Sequence, residues 1–491
     1  CNGSAVGVYH TCSPDEVNWV VGNSDSKVVF VGHNPMDGGD ADKKCSNRLL
    51  SVLDDLHKVE VAVVLDGVEM IDHPKAMSWS DFMSKGAGMP DSAVTERISS
   101  IKPSDTAALI YTSGTTGNPK GVVLTHDNFE FEIWSVQQVT RYNQGDGYVS
   151  WLPCAHVFGQ LADNHIWIRD AMHMRVVDNP LHSIDYCKEV QPHLFIGVPR
   201  IYEKVYSNLM AGLGSKLKLL RVPVLGGIIR KKARAAIGFS NTKYAITGAA
   251  PINPDILTLF HKLGIPLYEG YGMTETTGVA SLNSAKREKV GTVGEALPGT
   301  EVRIADNGEV LVRGDHVFAG YWRKPEKTAE DIRDGWLHTG DVGRLEDGML
   351  TITGRLKDII ITAGGKNITP AEIESRMKFS PYISDAVVIG DKRKYLTCLI
   401  MIDQENVEKY AQDRQVPFSN FASLCRAKEV LDLIDSVIQD VNKQFAQVEQ
   451  IKYFRLIDVL LTAEDEELTA TMKLKRSFVE KKHKHLIDSM Y

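Results

Sequence analysis

With 491 residues, 43% hydrophobic and 24% charged, the chain has the make-up of a soluble globular protein of more than one domain, and a net charge of -7 speaks against a general nucleic-acid binder. No uncharged apolar run reaches the length that crosses a bilayer, and no signal peptide is recognisable. Seven scattered cysteines without a CxxC pair suggest neither a zinc site nor a redox dithiol, and point to a reducing, cytoplasmic setting.

The chain opens on Cys1 rather than methionine, and Ala5-Val-Gly-Val-Tyr9 already reads as a strand, as in a chain that begins in mid-domain. Lys27–Val31 and Val61–Leu65 follow as strands, and Thr106–Ile110 as a buried one. Directly after it, Tyr111-Thr-Ser-Gly-Thr-Thr-Gly-Asn-Pro-Lys-Gly121 crowds hydroxyls and glycines around one lysine, the composition of a phosphate cradle. It is not a Walker loop, because Pro119 and Val122 stand where the spacing from Gly114 and Gly117 would require Gly-Lys. Tyr148–Leu152, Leu194–Val198 and Lys243–Thr247 continue the alternation of strands with helical patterns, the signature of layered α/β architecture with largely parallel sheets. After about residue 290 short strands with tight turns, Gly308–Val312 and Asp347–Ile352, predict a small β-rich subdomain. A break near Gly354–Asp358 precedes Ala386–Ile389, Thr397–Met401 and a helical stretch from Val430 to Phe445. The reading is a large N-terminal α/β domain over 1–356, truncated at its start, and a small mobile α+β domain over 357–491.

Tyr268-Glu-Gly-Tyr-Gly-Met-Thr-Glu-Thr-Thr277 brings a hydroxyl and a carboxylate to a glycine turn, where Thr274 and Glu275 suit a hard cation such as Mg²⁺ beside a phosphate loop. Read alone, the same pair is a helix cap. Asp334-Gly-Trp-Leu-His-Thr-Gly-Asp341, followed by Arg355 and Lys357, offers either an aspartate for ribose hydroxyls with an arginine for a charge-assisted bond, or a plain turn aspartate and a surface arginine. Thr362-Ala-Gly-Gly-Lys-Asn367 is either a backbone-exposing loop or a plain hairpin turn, and Lys473 and His156 read alone are ordinary surface or core residues.

Taken in order, these segments resemble the adenylate-forming superfamily of acyl-CoA synthetases, adenylation domains and luciferases, and most closely long-chain fatty acyl-CoA synthetases of the bubblegum type. The resemblance implies that Thr112, Ser113, Gly114, Thr115, Thr116, Gly117 and Lys120 orient the ATP β- and γ-phosphates. It implies that Gly248, Ala249 and Ala250 with Glu269, Gly270 and Tyr271 frame adenine, that Thr274 meets the α-phosphate and that Glu275 holds Mg²⁺. By the same resemblance Asp341 is expected to take the ribose with help from Arg355, Lys357 to be the hinge, Lys473 to serve adenylation and His156 to line the acyl site. The resemblance also implies that Gly364, Gly365 and Lys366 flank the coenzyme A tunnel, with Lys366 standing where glutamate is expected of bubblegum enzymes. The implied partners are a fatty acid, ATP and coenzyme A, and such enzymes carry a further N-terminal stretch.

Two other readings compete: an adenylating enzyme that loads a carrier protein, and a nonenzymatic lipid-binding protein on the same fold. Lys216, Lys218, Arg221, Arg230, Lys231, Lys232 and Arg234 form a run without an acidic residue, either a solvated helix face or a patch for an anionic membrane.

Overall fold

The computed structural model describes residues 3–35, 37–112, 118–140, 142–459 and 475–491. Among the described residues the fold has three sheets up to Arg355 and two after it. Val28–Val31, Val61–Val64 and Ala76–Ser78 pair in parallel. They rest on a core of Val17, Val21, Leu49, Leu53, Leu56 and Ala62.

A second sheet places Ala5–Gly7 beside Thr106–Thr112 in parallel. Thr106–Thr112 turns back antiparallel into Lys120–Thr125, and Gly320–Tyr321 closes the other edge. The strand predicted to end at Ile110 therefore runs to Thr112, because Tyr111 and Thr112 still pair with Gly121 and Lys120.

Among the described residues the largest sheet has twelve strands. Its parallel half runs His173–Val176, Gly147–Ser150, Leu194–Gly197, Tyr244–Thr247 and Leu267–Tyr271. Leu194–Gly197, Tyr244–Thr247 and Leu267–Tyr271, at the centre, are covered on both faces, with Leu194, Phe195, Ala245 and Leu267 all buried, whereas His173–Val176 at the edge is largely exposed. Beyond Leu267–Tyr271 the pairing turns antiparallel through Ser281–Leu282 and Glu295–Ala296. It then passes to Met349–Arg355, Trp336–Glu346, Glu309–Arg313 and Glu301–Ile304. The β-rich unit expected after residue 290 thus extends the same sheet, and two short strands carry the change of direction.

The last third has its own core. Ile383–Ile389 pairs antiparallel with Leu396–Ile402, which pairs in parallel with Ile451–Leu456. The helix Lys428–Asn442 lays Val430, Ile434, Ile438 and Val441 on this sheet, at the three- and four-residue spacing of one helix face. Each such fully buried side chain contributes about 1.5–3 kcal/mol of transfer free energy. Among the described residues no helix is long and apolar enough to cross a membrane, and Cys12, Cys45, Cys154, Cys187, Cys398 and Cys425 are free.

Candidate active site

Thr112 and Lys120 are register partners at one end of an antiparallel pair, so the two residues that flank the glycine-rich segment lie side by side on neighbouring strands. A Walker loop by contrast opens a helix. Ser113, Gly114, Thr115, Thr116 and Gly117 lie outside the described residues. The frame of the loop is pinned from a distance: the Trp19 indole Nε1–H donates to Pro119 O at 2.9 Å. The Tyr111 hydroxyl donates to Asn23 Oδ1 at 2.7 Å, and Trp322 Nε1–H to Asn23 O at 2.9 Å. Trp19 and Asn23 ride on the helix Pro14–Asn23, begun by a Ser13–Glu16 capping box. Sequence reading passed over all three residues, since nothing local marks a partner a hundred residues away.

Lys120 is half-buried at the start of its strand, and its ammonium stands 4.1 Å from the ring centroid of Tyr321. Burial pulls that ammonium below the ordinary lysine value, with Lys327 and Lys357 adding to the pull and Glu275 and Asp331 opposing it. The Tyr321 hydroxyl lies 2.9 Å from Glu275 Oε1 and 3.0 Å from Asp331 Oδ2, and burial followed by those two carboxylates pushes the phenol far up, so it acts as donor. Glu275 and Thr274 are buried in a single 3₁₀ turn, Thr274–Thr276. That turn closes tightly: a Cβ on Gly272 would sit 1.6 Å from Gly278 O, so only glycine fits there.

Asp341 and Arg355 face each other across neighbouring strands. Arg355 Nε lies 3.1 Å from Asp341 Oδ1, and the Tyr271 hydroxyl donates to Oδ2 at 2.7 Å. The Asp341 charge holds the Arg355 guanidinium above its ordinary value. Burial, reinforced by Asp341, pushes the Tyr271 phenol well up. Asp341 is buried while the Arg355 side chain is about half exposed, so the carboxylate is fixed from within and the guanidinium reaches outward.

The expected adenine frame sits at the carboxyl ends of two adjacent parallel strands, Tyr244–Thr247 and Leu267–Tyr271, where open α/β sheets place ligands. A Cβ on Gly248 would come within 3.1 Å of Gly270 O and 3.4 Å of the Phe158 ring, so the loop Gly248, Ala249, Ala250 lies close against Gly270. Ala249 holds φ +66°, a left-handed backbone rare for alanine and typical of functional loops. The Glu269 side chain turns under this loop, accepting from Ile252 N–H at 3.3 Å, and burial raises its carboxyl to about 7. His156 caps the helix Val157–Leu161, accepting from Phe158 N–H through Nδ1 at 3.2 Å, and its ring stands 6.5 Å from that of Phe158. Phe158 thereby links His156 to Gly248.

Lys357 lies in the 3₁₀ turn Leu356–Asp358, directly after Arg355. Gly364, Gly365 and Lys366 form the turn between Ile360–Ile361 and Asn367–Ile368. This turn is held by its own surroundings, Gly365 N–H donating to Thr362 O at 2.8 Å and Ala363 N–H to Arg393 O at 2.9 Å. Lys473 falls in 460–474, outside the described residues.

The profile of the AMP-binding enzyme family matches residues 1–322, and that of the AMP-binding enzyme C-terminal domain matches 357–491. The chain belongs to the AMP-binding enzyme family. This AMP-binding enzyme is 33% identical to the long-chain-fatty-acid–CoA ligase FadD15 of Mycobacterium tuberculosis, covering 99% of this chain and 83% of the relative. It is also 33% identical to the long-chain-fatty-acid–CoA ligase ACSBG2, a bubblegum-type relative, of Gallus gallus, over 100% of this chain and 71% of the relative. Among solved structures, the anthranilate CoA ligase AuaEII in complex with anthranoyl-AMP shares its fold with a TM-score of 0.73 at 18% identity, over 99% of this chain and 83% of that one. O-succinylbenzoate coenzyme A synthetase from Bacillus subtilis, in complex with ATP and magnesium ion, matches with a TM-score of 0.66 at 22% identity, over 96% and 83%.

Proposed function

We propose that this AMP-binding enzyme condenses a long-chain fatty acid with ATP to give acyl-AMP and pyrophosphate, then passes the acyl group to coenzyme A. The observation that carries the reading is the shared neighbourhood of two polar sets, Asp341 with Arg355 and Tyr271, and Glu275 with Tyr321 and Lys120. Arg355 stands beside Asp341, and the Asp341 charge dominates its surroundings, with a lesser contribution from Glu275. The relatives named as long-chain-fatty-acid–CoA ligases support the choice of substrate.

The chemistry explains why both sets are needed. A fatty-acid carboxylate oxygen attacks the α-phosphorus, a P–O bond to pyrophosphate breaks, and negative charge gathers on the leaving phosphates. Lys120, at the end of the phosphate loop, is placed to offset that charge, while Asp341 orients the ribose through its fixed carboxylate. The thiol of coenzyme A then attacks the acyl carbon, a C–S bond forms and AMP departs.

The residues present suit Mg²⁺ that arrives with the nucleotide. Among the described residues no three His, Cys, Asp or Glu side chains form a cluster able to hold a metal by themselves. Mg²⁺ on phosphates needs only one or two protein oxygens, and Glu275 beside Thr274 supplies a buried carboxylate and hydroxyl. When bound, the ion would add positive charge at the phosphates.

In this reading residues 1–356 and 357–491 act as two bodies hinged at Lys357. Lys473 serves adenylation, and the Gly364–Gly365 turn serves thioester formation after rotation.

A peripheral membrane contact is part of the reading. In the helix Pro223–Ala236, Arg230 donates to the carbonyls of Lys262 and Leu220, and Arg234 to those of Phe239 and Ser240, so both serve the fold. Lys218, Arg221, Lys231 and Lys232 stay exposed, beside Val224 at 78% and Ile228 at 49% exposure. Exposed apolar residues next to cations suit an anionic bilayer, where long-chain fatty acids partition.

The test is ATP–pyrophosphate exchange and CoA-dependent AMP release across fatty acids from acetate to very long chains. Long-chain acids are expected to dominate both; no exchange with any acid overturns the reading.

A further inference from the structure

Tyr321 touches two parts of the site with two parts of its side chain. Its ring carries the Lys120 ammonium at 4.1 Å, and its hydroxyl reaches Glu275 at 2.9 Å and Asp331 at 3.0 Å. A phenol has one proton, so it donates to one carboxylate at a time. Asp331 has another partner in Lys327 Nζ at 2.8 Å. Among the described residues Tyr321 is the hydrogen-bond partner of the Glu275 carboxylate. The proton therefore matters more to Glu275.

The backbone fixes this placement. Tyr321 pairs across the sheet edge with Val122, two residues from Lys120 on the same strand, while Phe318 N–H donates to Glu275 O at 2.9 Å. The tyrosine is thus tied to both the phosphate-loop strand and the Thr274–Thr276 turn. Without it, a lysine and a carboxylate in a partly dry site would close into a direct ion pair. Such a pair would use up both groups before a nucleotide arrives.

We propose that Tyr321 is a positioning residue that keeps Lys120 and Glu275 apart in the nucleotide-free enzyme, its ring seating the lysine and its hydroxyl capping the carboxylate. The lysine is then free to leave for phosphates, and the carboxylate for a divalent cation. The proposal rests on the adenylate-forming reading above.

The experiment measures ATP affinity by calorimetry with Mg²⁺ and with EDTA, and takes the ratio of the two dissociation constants. Tyr321→Phe keeps the seat and removes the cap, so Lys120 falls onto Glu275 and the Mg²⁺ enhancement drops roughly tenfold, within the range of coupling between contacting residues. Adding Lys120→Ala empties the competing pair, and the enhancement returns to that of Lys120→Ala alone. Tyr321→Leu, read by the same cycle with circular dichroism as the folding control, gives the same recovery. An unchanged enhancement in Tyr321→Phe, or no recovery in the double variants, overturns the proposal. Failure of the parent reading looks different: the unaltered enzyme would then show no ATP binding at all, and the proposal falls with it.

Discussion

Asp341 and Arg355 stand opposite each other on adjacent antiparallel strands, their side chains 3.1 Å apart, with the second carboxylate oxygen held by the Tyr271 hydroxyl. Asp341 lies in the middle of Trp336–Glu346, and Arg355 is the last residue of Met349–Arg355, just before the turn that holds Lys357. Arg355 therefore lies one residue before the turn that carries the proposed hinge.

Replacing Arg355 by alanine is expected to lower kcat/KM for ATP by roughly tenfold or more, since a hydrogen bond to a charged group contributes about 1.5–3 kcal/mol and this guanidinium is partly exposed. Arg355→Lys should recover only part of it, because a point charge cannot copy the planar fork. Steady-state kinetics with varied ATP checks this. Thermal stability should fall as well, because the buried Asp341 carboxylate loses its counter-charge and keeps only the Tyr271 hydroxyl among the partners described above.

Glu269 gives a stability that depends on pH. Burial raises its carboxyl from 4.5 to about 7, so between those values the folded chain holds a proton that the unfolded chain has released. Stability should then fall as pH rises through that window and level off above it. Glu269→Gln keeps an acceptor for Ile252 N–H and removes the charge. Its unfolding midpoint should match the parent near pH 4.5 and exceed it at pH 8 by the equivalent of about 1–3 kcal/mol.

Arg476 anchors the chain where it re-enters the described structure, donating to Val388 O at 2.7 Å and pairing with Glu374. Burial holds the Glu374 carboxyl above its usual value in spite of that arginine. Removing one member of a buried pair leaves an uncompensated group, so Arg476→Ala should cost about 3–5 kcal/mol, and adding Glu374→Gln should return much of it. Denaturant unfolding of the single and double variants measures both.

The apolar and basic face of Pro223–Ala236 predicts salt-sensitive binding to vesicles containing phosphatidylglycerol. Lys231→Glu with Lys232→Glu should abolish sedimentation with them at low salt, at about 1 kcal/mol per cation. Val224→Asp should weaken it while leaving the arginine-to-carbonyl bonds intact. Sedimentation unaffected by either change would remove the membrane contact.

The sequence by itself determined most of the elements and the chemistry-bearing segments. Apolar runs, glycine turns and motif order were enough to place the strands within a few residues, the Thr274–Glu275 turn, and Asp341 ahead of Arg355. Those signals are local, because burial on both faces and tight turns restrict residue type at each position. Only the tertiary structure showed that the β-rich stretch continues the large sheet, and that Arg230 and Arg234 serve backbone carbonyls instead of a surface. It alone brought Trp19 to the phosphate loop and Tyr321 between Lys120 and Glu275. A tyrosine at a strand edge looks like any half-buried aromatic until the partner strand is known. What decides its role is which distant groups the pairing brings to its ring and its hydroxyl.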